Sequence, residues 1–80
     1  MPTTPTKQTG ANIRAEIARR KVSQTTLAEH LGLSQTSISA RLSGRTAFDI
    51  NEIHAIAAFL DVPIAALLPS EIRDDADVAS

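Results

Sequence analysis

Eighty residues, 42% apolar and without cysteine, make one domain near the smallest size at which packing alone sustains a core, which argues against disulfides, thiolate zinc sites and an enclosed catalytic chamber. No apolar run approaches the roughly 18 residues of a membrane span, and Met1–Gly10 lacks the apolar stretch of a secretion signal, so a soluble, cytoplasmic protein with no membrane partner is expected. The net charge of −1 conceals two unlike halves: residues 1–45 carry seven basic groups against Glu16 and Glu29, a net of +5, and residues 46–80 carry Arg73 against seven acids, a net of −6. That asymmetry fits a basic face for a polyanion and an acidic face turned away from it, although two simply solvated halves would give the same count.

Residues 1–9 hold two prolines and four threonines with almost nothing to bury, and read as a flexible N-terminal arm. The domain proper is expected over 10–69. Ile13 and Ile17 share one face, with Arg14 and Arg20 off it, predicting a helix over about 11–20. Ser23 can cap a second helix whose buried stripe is Leu27, Ala28 and Leu31, and Gly32 ends it. Only Gly32, Leu33 and Ser34 intervene before a third helix, Gln35 to Leu42, capped by Ser34 and stopped at Ser43-Gly44. After a loop containing Arg45 and Phe48, Asp49 and Glu52 are spaced as a capping box for a fourth helix that buries Ile53, Ile56, Ala57 and Leu60. Pro63 opens a short fifth helix through Leu68, and Pro69 closes it. The tail 70–80 is acidic and expected to be flexible. Strand-like alternation, repeats and heptads are absent from the sequence, so the fold class is all-α with five helices.

A helix, a three-residue turn containing glycine and a second helix, over 24–42, describe a helix-turn-helix. Ala28 lets the two backbones approach, while Ile38 and Leu42 pin the second helix to the core. The step of about 100° per residue then turns Thr36, Ser37 and Ala40 outward, with Ser39 and Arg41 on the flanks. Exposed helix surfaces normally collect Glu and Lys, yet Gln35-Thr36-Ser37-Ile38-Ser39-Ala40 contains no acid and only short polar or methyl-bearing side chains. Helix propensity does not explain serine and threonine there, whereas close approach to base edges and phosphates does. An amide can bond adenine at two atoms, and methyl groups can touch thymine.

Residues 12–68 resemble the lambda-repressor-like, Cro/C1-type (XRE) helix-turn-helix family of phage repressors and bacterial regulators. The resemblance is carried by Ser23-Gln24, Leu27-Ala28, Leu31-Gly32, Ser34, Ile38-Ser39, Gly44 and the later pattern Glu52-Ile53, Ile56-Ala57, Leu60, Val62 and Leu67-Leu68. It implies that Gln24 binds a phosphate and braces Gln35, that Gln35 is the chief base reader with Thr36 and Ala40 beside it, and that Ser43, the N–H of Gly44 and Arg45 hold the sugar-phosphate backbone. Ser39 joins the base-reading set, and Ser34 and Ser37 the backbone set. Many members place an apolar residue at position 41 and glutamate at 42, whereas this chain has Arg41 and Leu42. Leu42 can still fill the core, which releases Arg41 toward a phosphate or a guanine.

Two further basic features stay open at this stage. Lys7 and its threonine-rich surroundings belong either to a disordered arm or to one that wraps the duplex. Arg14, Arg19, Arg20 and Lys21 either approach phosphates or complement a helix C-terminus.

Chemistry is not expected. His30 and His54 lack a histidine or carboxylate one turn away, the serines lack a base and orienting acid, and there is no phosphate loop, so metal, cofactor and small-molecule ligand are all assigned as none and the protein is not an enzyme. The expected function is a sequence-specific double-stranded-DNA-binding transcriptional regulator of the phage Cro-like or immunity-repressor kind, acting on the nucleoid of a bacterial host cell. One recognition helix reads about four or five base pairs, so a homodimer on a two-fold symmetric operator is expected, with Ile64, Leu67 and Leu68 as the candidate dimer surface unless they complete the core. The rival readings are an antitoxin of the same fold, which represses its own operon and binds a toxin through its flexible ends, and a protein-binding module that touches no DNA.

Overall fold

The structure, a computed structural model, describes residues 4–69. It contains α1 (Pro5–Arg19), α2 (Gln24–Leu31), α3 (Gln35–Ser43) and α4 (Ile50–Leu60), followed by one 3-10 turn, Ile64–Ala66. No strand occurs among the described residues.

Local side-chain chemistry sets most of the boundaries. Ser23, Ser34 and Asp49 have extended backbone, and each side chain accepts the N–H three residues on, from Thr26, Ser37 and Glu52 respectively. Glu52 returns the favour to the Asp49 N–H, completing the expected capping box. Gly32 (φ 70°) and Gly44 (φ 87°) close α2 and α3 in the left-handed conformation.

α1 departs from expectation. It begins at Pro5 instead of near residue 11, so residues 5–9 of the expected arm are helical; residues 1–3 lie outside the described set. Three causes are visible. Thr4 caps the Lys7 N–H, Pro5 brings a pre-set φ to the first position, and Gly10 lies so close to α3 that a Cβ there would stand 2.5 Å from the Leu42 carbonyl oxygen and 2.9 Å from that of Arg41. Thr9 and Gly10 are buried as a result.

The expected fifth helix is reduced to the 3-10 turn, giving four α-helices among the described residues where five were expected. Pro63 and Pro69 bracket too short a segment for more than one turn. Leu67 is fully buried, with Ile64 and Leu68 half-buried against the core, so this segment completes the core and Leu67 is withdrawn from any dimer surface. Asn12 stitches the segment to α1 through its amide, which donates to the Leu67 and Leu68 carbonyls at 3.4 and 3.0 Å. The tail 70–80 lies outside the described residues.

Every element contributes to one core. Ile13, Leu27, Ile38, Leu42, Ile56 and Leu67 have essentially no exposure, each burial being worth about 1.5–3 kcal/mol of transfer free energy. Phe48 also enters it, from the loop between α3 and α4. At the far end of α1, Glu16 accepts from Arg19 at 2.6 Å and from Arg20. Desolvation pushes the Glu16 carboxyl upward, but the hydrogen bonds and charges of Arg20 and Arg19 outweigh it, leaving the group below the ordinary glutamate range. Arg20 also donates through Nε to the Leu60 carbonyl at the end of α4, 3.1 Å away.

Candidate nucleic-acid interface

α3 sits across the molecule with two unlike sides. Ile38 and Leu42 are buried, whereas Gln35, Thr36, Ser39 and Ser43 are exposed. Ser37, Ala40 and Arg41 are half-buried. The exposed stripe is therefore shifted by one residue from the expected outward trio, toward Thr36 and Ser39. Ala40, whose carbonyl accepts the N–H groups of Arg45 and Thr46 as the chain turns back, is partly covered. The acid-free composition of the stripe is thus presented to solvent and not packed beneath another element.

Gln35, the first residue of α3, is oriented from α2. The hydroxyl of Thr25 donates to its Oε1 at 3.2 Å. Gln24, to which the resemblance gave that bracing role, is exposed at the first position of α2, and the brace belongs to its neighbour Thr25. A hydroxyl on the first turn of the supporting helix, next to the glutamine, was the signal available in the sequence.

At the other end of α3 three groups expected to meet DNA, two at its backbone and Arg41 at a base or phosphate, are already engaged. The N–H of Gly44 closes the helix onto the Ala40 and Arg41 carbonyls, and so is not open to a phosphate as expected. The Ser43 hydroxyl donates to the Ala40 carbonyl at 3.0 Å and accepts from Arg45 Nε at 3.4 Å. Arg41, expected to reach DNA, instead donates through Nε to Glu52 Oε1 at 3.1 Å and through Nη1 to the Ser37 carbonyl at 3.3 Å. This ion pair is largely shielded, at 20% and 16% side-chain exposure, and Glu52 Oε1 also holds the cap of α4. Arg41 therefore braces α3 against α4. Ser34 is occupied as the cap of α3 through its oxygen, which leaves its hydroxyl proton available to an outside acceptor.

The basic half of the chain is sorted in the same way. Arg19 and Arg20 are paired with Glu16 and Arg41 with Glu52. Among the described residues Lys7, Arg14, Lys21 and Arg45 stay exposed without a carboxylate partner. His30 stacks on Phe59, ring centroids 4.1 Å apart, a packing role joining α2 to α4. The described residues contain no group of three potential metal ligands and no helix long and apolar enough to cross a membrane.

A helix-turn-helix family model matches residues 13–67, most of the chain. This protein belongs to the Cro/C1-type (XRE) helix-turn-helix family. The restriction-modification controller protein C.AhdI from Aeromonas hydrophila is similar in structure, with a TM-score of 0.70 at 24% identity over 78% of this chain and 94% of that one. The DNA-binding domain of BldD matches with a TM-score of 0.71 at 25% identity over 86% of this chain and 100% of that one. The S. venezulae BldD DNA-binding domain gives 0.70 at 25% identity over 84% and 100%. No curated protein matches the sequence. As a member of the XRE family the chain is a DNA-binding transcription regulator with double-stranded DNA as partner, and the α3 stripe is its candidate reading surface.

Proposed function

We propose that this regulator is a repressor of the Cro-like or immunity-repressor kind, reading the major groove of a two-fold symmetric operator as a homodimer in the cytoplasm of a bacterial cell. The observation that supports it is the exposed, acid-free stripe of α3, held from behind by Ile38 and Leu42. Gln35 is the chief base reader: with Oε1 accepting from Thr25, its amide nitrogen remains to donate to a base acceptor such as adenine N7, while Oε1 keeps a lone pair for the adjacent N6 amino group. Thr36, Ser39 and Ala40 offer a methyl or hydroxyl to neighbouring bases. Gln24, Ser34, Ser37 and Arg45 lie along the sugar-phosphate backbone, with Ser43 supporting the Arg45 side chain. Two copies about one DNA turn apart supply the contacts that one short helix cannot.

Selection from randomised duplex DNA tests this reading directly, with a palindromic consensus as the expected outcome. On the selected site Gln35→Ala should cost about 1–3 kcal/mol and relax one base preference, whereas Arg45→Ala should weaken all sequences alike. Binding that is unchanged by Gln35→Ala, or a selection that yields no consensus, would overturn it.

A further inference from the structure

At the C-terminal end of α3 the donors near the expected DNA backbone are spent inside the protein. Gly44 N–H closes the helix and the Ser43 hydroxyl serves the Ala40 carbonyl. Phosphate oxygens only accept, so a grip on the duplex at this corner needs other donors. Arg45 is one, exposed on the loop. The other comes from the start of the chain. The first turn of α1 lies against Gly44 so closely that a Cβ there would fall 2.8 Å from Lys7 Cα and overlap its side chain. Lys7 is nevertheless exposed, and no carboxylate pairs with it among the described residues.

We propose that Lys7 is a DNA-backbone contact, forming with Arg45 a two-cation clamp on phosphate beside the end of the reading helix. This rests on the regulator reading above and assigns a binding role to a helix that carries none of the expected base-reading residues. Three features build the clamp. Thr4 and Pro5 start α1 early enough to reach this corner, Gly10 seats it on the Leu42 carbonyl, and Gly44, lacking a side chain, admits Lys7. The lysine is a compact charge on a flexible stem, suited to a phosphate and not to a base pattern. Its contribution is then independent of sequence and strongly dependent on salt.

The test is the salt dependence of binding to a random-sequence duplex, followed by fluorescence anisotropy for the full chain and for Lys7→Gln, Lys7→Arg and Arg45→Ala. Each lost phosphate contact should reduce the slope of log affinity against log salt by about 0.9. Between 50 and 200 mM salt Lys7→Gln should therefore lose about threefold less affinity than the unaltered protein. Lys7→Arg should keep the original slope. A purely structural role at the negative end of α3 would instead lower the melting temperature of Lys7→Gln and leave the slope unmoved, which overturns the proposal. If Arg45→Ala lowers the slope and Lys7→Gln does not, the clamp fails while the regulator reading stands. If the unaltered protein binds no duplex at low salt, both fall.

Discussion

The two ends of α3 are held by different physics. At the N-terminal end, ahead of the buried Ile38, Gln35 is held by a serine cap and one exposed hydroxyl-to-amide hydrogen bond. The C-terminal end is fixed by backbone against backbone at Gly10, by the Lys7–Gly44 contact and by the shielded Arg41–Glu52 pair. On the proposed function, the fold anchors the helix away from its proposed reading residue and leaves the side chain of Gln35 lightly tied. A reading residue must exchange its partners for those of a base, and weak neutral bonds near solvent are cheap to exchange. An anchor has the opposite requirement.

The largest expected effect lies at the anchored end. Gly10→Ala should raise helix propensity by about 1 kcal/mol, yet its Cβ would meet main-chain atoms of α3 that cannot rotate away. Overpacking of that kind costs about 1–3 kcal/mol or more, and backbone overlap belongs at the upper end. We expect a net loss of about 2 kcal/mol in urea denaturation, together with weaker binding to every duplex. A stabilised Gly10→Ala protein would show that α1 and α3 are not locked together.

Next comes the polar half of the same anchor. Arg41→Ala should cost about 1.5 kcal/mol, the low end of the range for a hydrogen bond to a charged group, because both side chains keep some exposure to water. Glu52→Gln should cost less, since an amide oxygen can still receive the Asp49 N–H. In a double-mutant cycle the two changes should couple by about 1 kcal/mol. The salt slope of DNA binding should stay unchanged in Arg41→Ala, and a drop of about 0.9 would return Arg41 to the DNA backbone.

The contrast between the ends also explains what could be read from the sequence. Caps are local: Ser23, Ser34 and Asp49 each act on a group three residues away, so α2, α3 and α4 start where their residues say. The core stripe of α3 was equally legible, because Ile38 and Leu42 lie one turn apart. The long-range anchors were not. Gly10 looks like a boundary in a one-dimensional pattern, and only its approach to a carbonyl 32 positions away makes it the seat of α1. Arg41 and Glu52 lie on separate helices, so Arg41 read as a free cation and Glu52 as a cap alone. Phe48, isolated in a loop, gave no periodicity to mark it as core. Lys7 reads as part of an arm because the stretch before it lacks apolar residues, although its helix is held by a cap and by glycine packing.

The smallest predicted effect concerns the lightly tied end. Thr25→Val removes the hydroxyl that donates to Gln35 while nearly preserving the side-chain shape. The bond is exposed, so water replaces it and stability should change by less than about 0.5 kcal/mol. Its value to binding is orientation, because it limits the rotamers over which the Gln35 amide is spread before DNA arrives. Losing it should weaken the cognate site by about 0.5–1 kcal/mol and leave random duplex unaffected, a difference that parallel anisotropy titrations on the two DNAs resolve. An equal loss on both DNAs would mean that Thr25 touches phosphate itself. No loss on either would mean that Gln35 finds its base unaided, and the unequal treatment of the two ends would then reflect only the need to hold α3 onto the core.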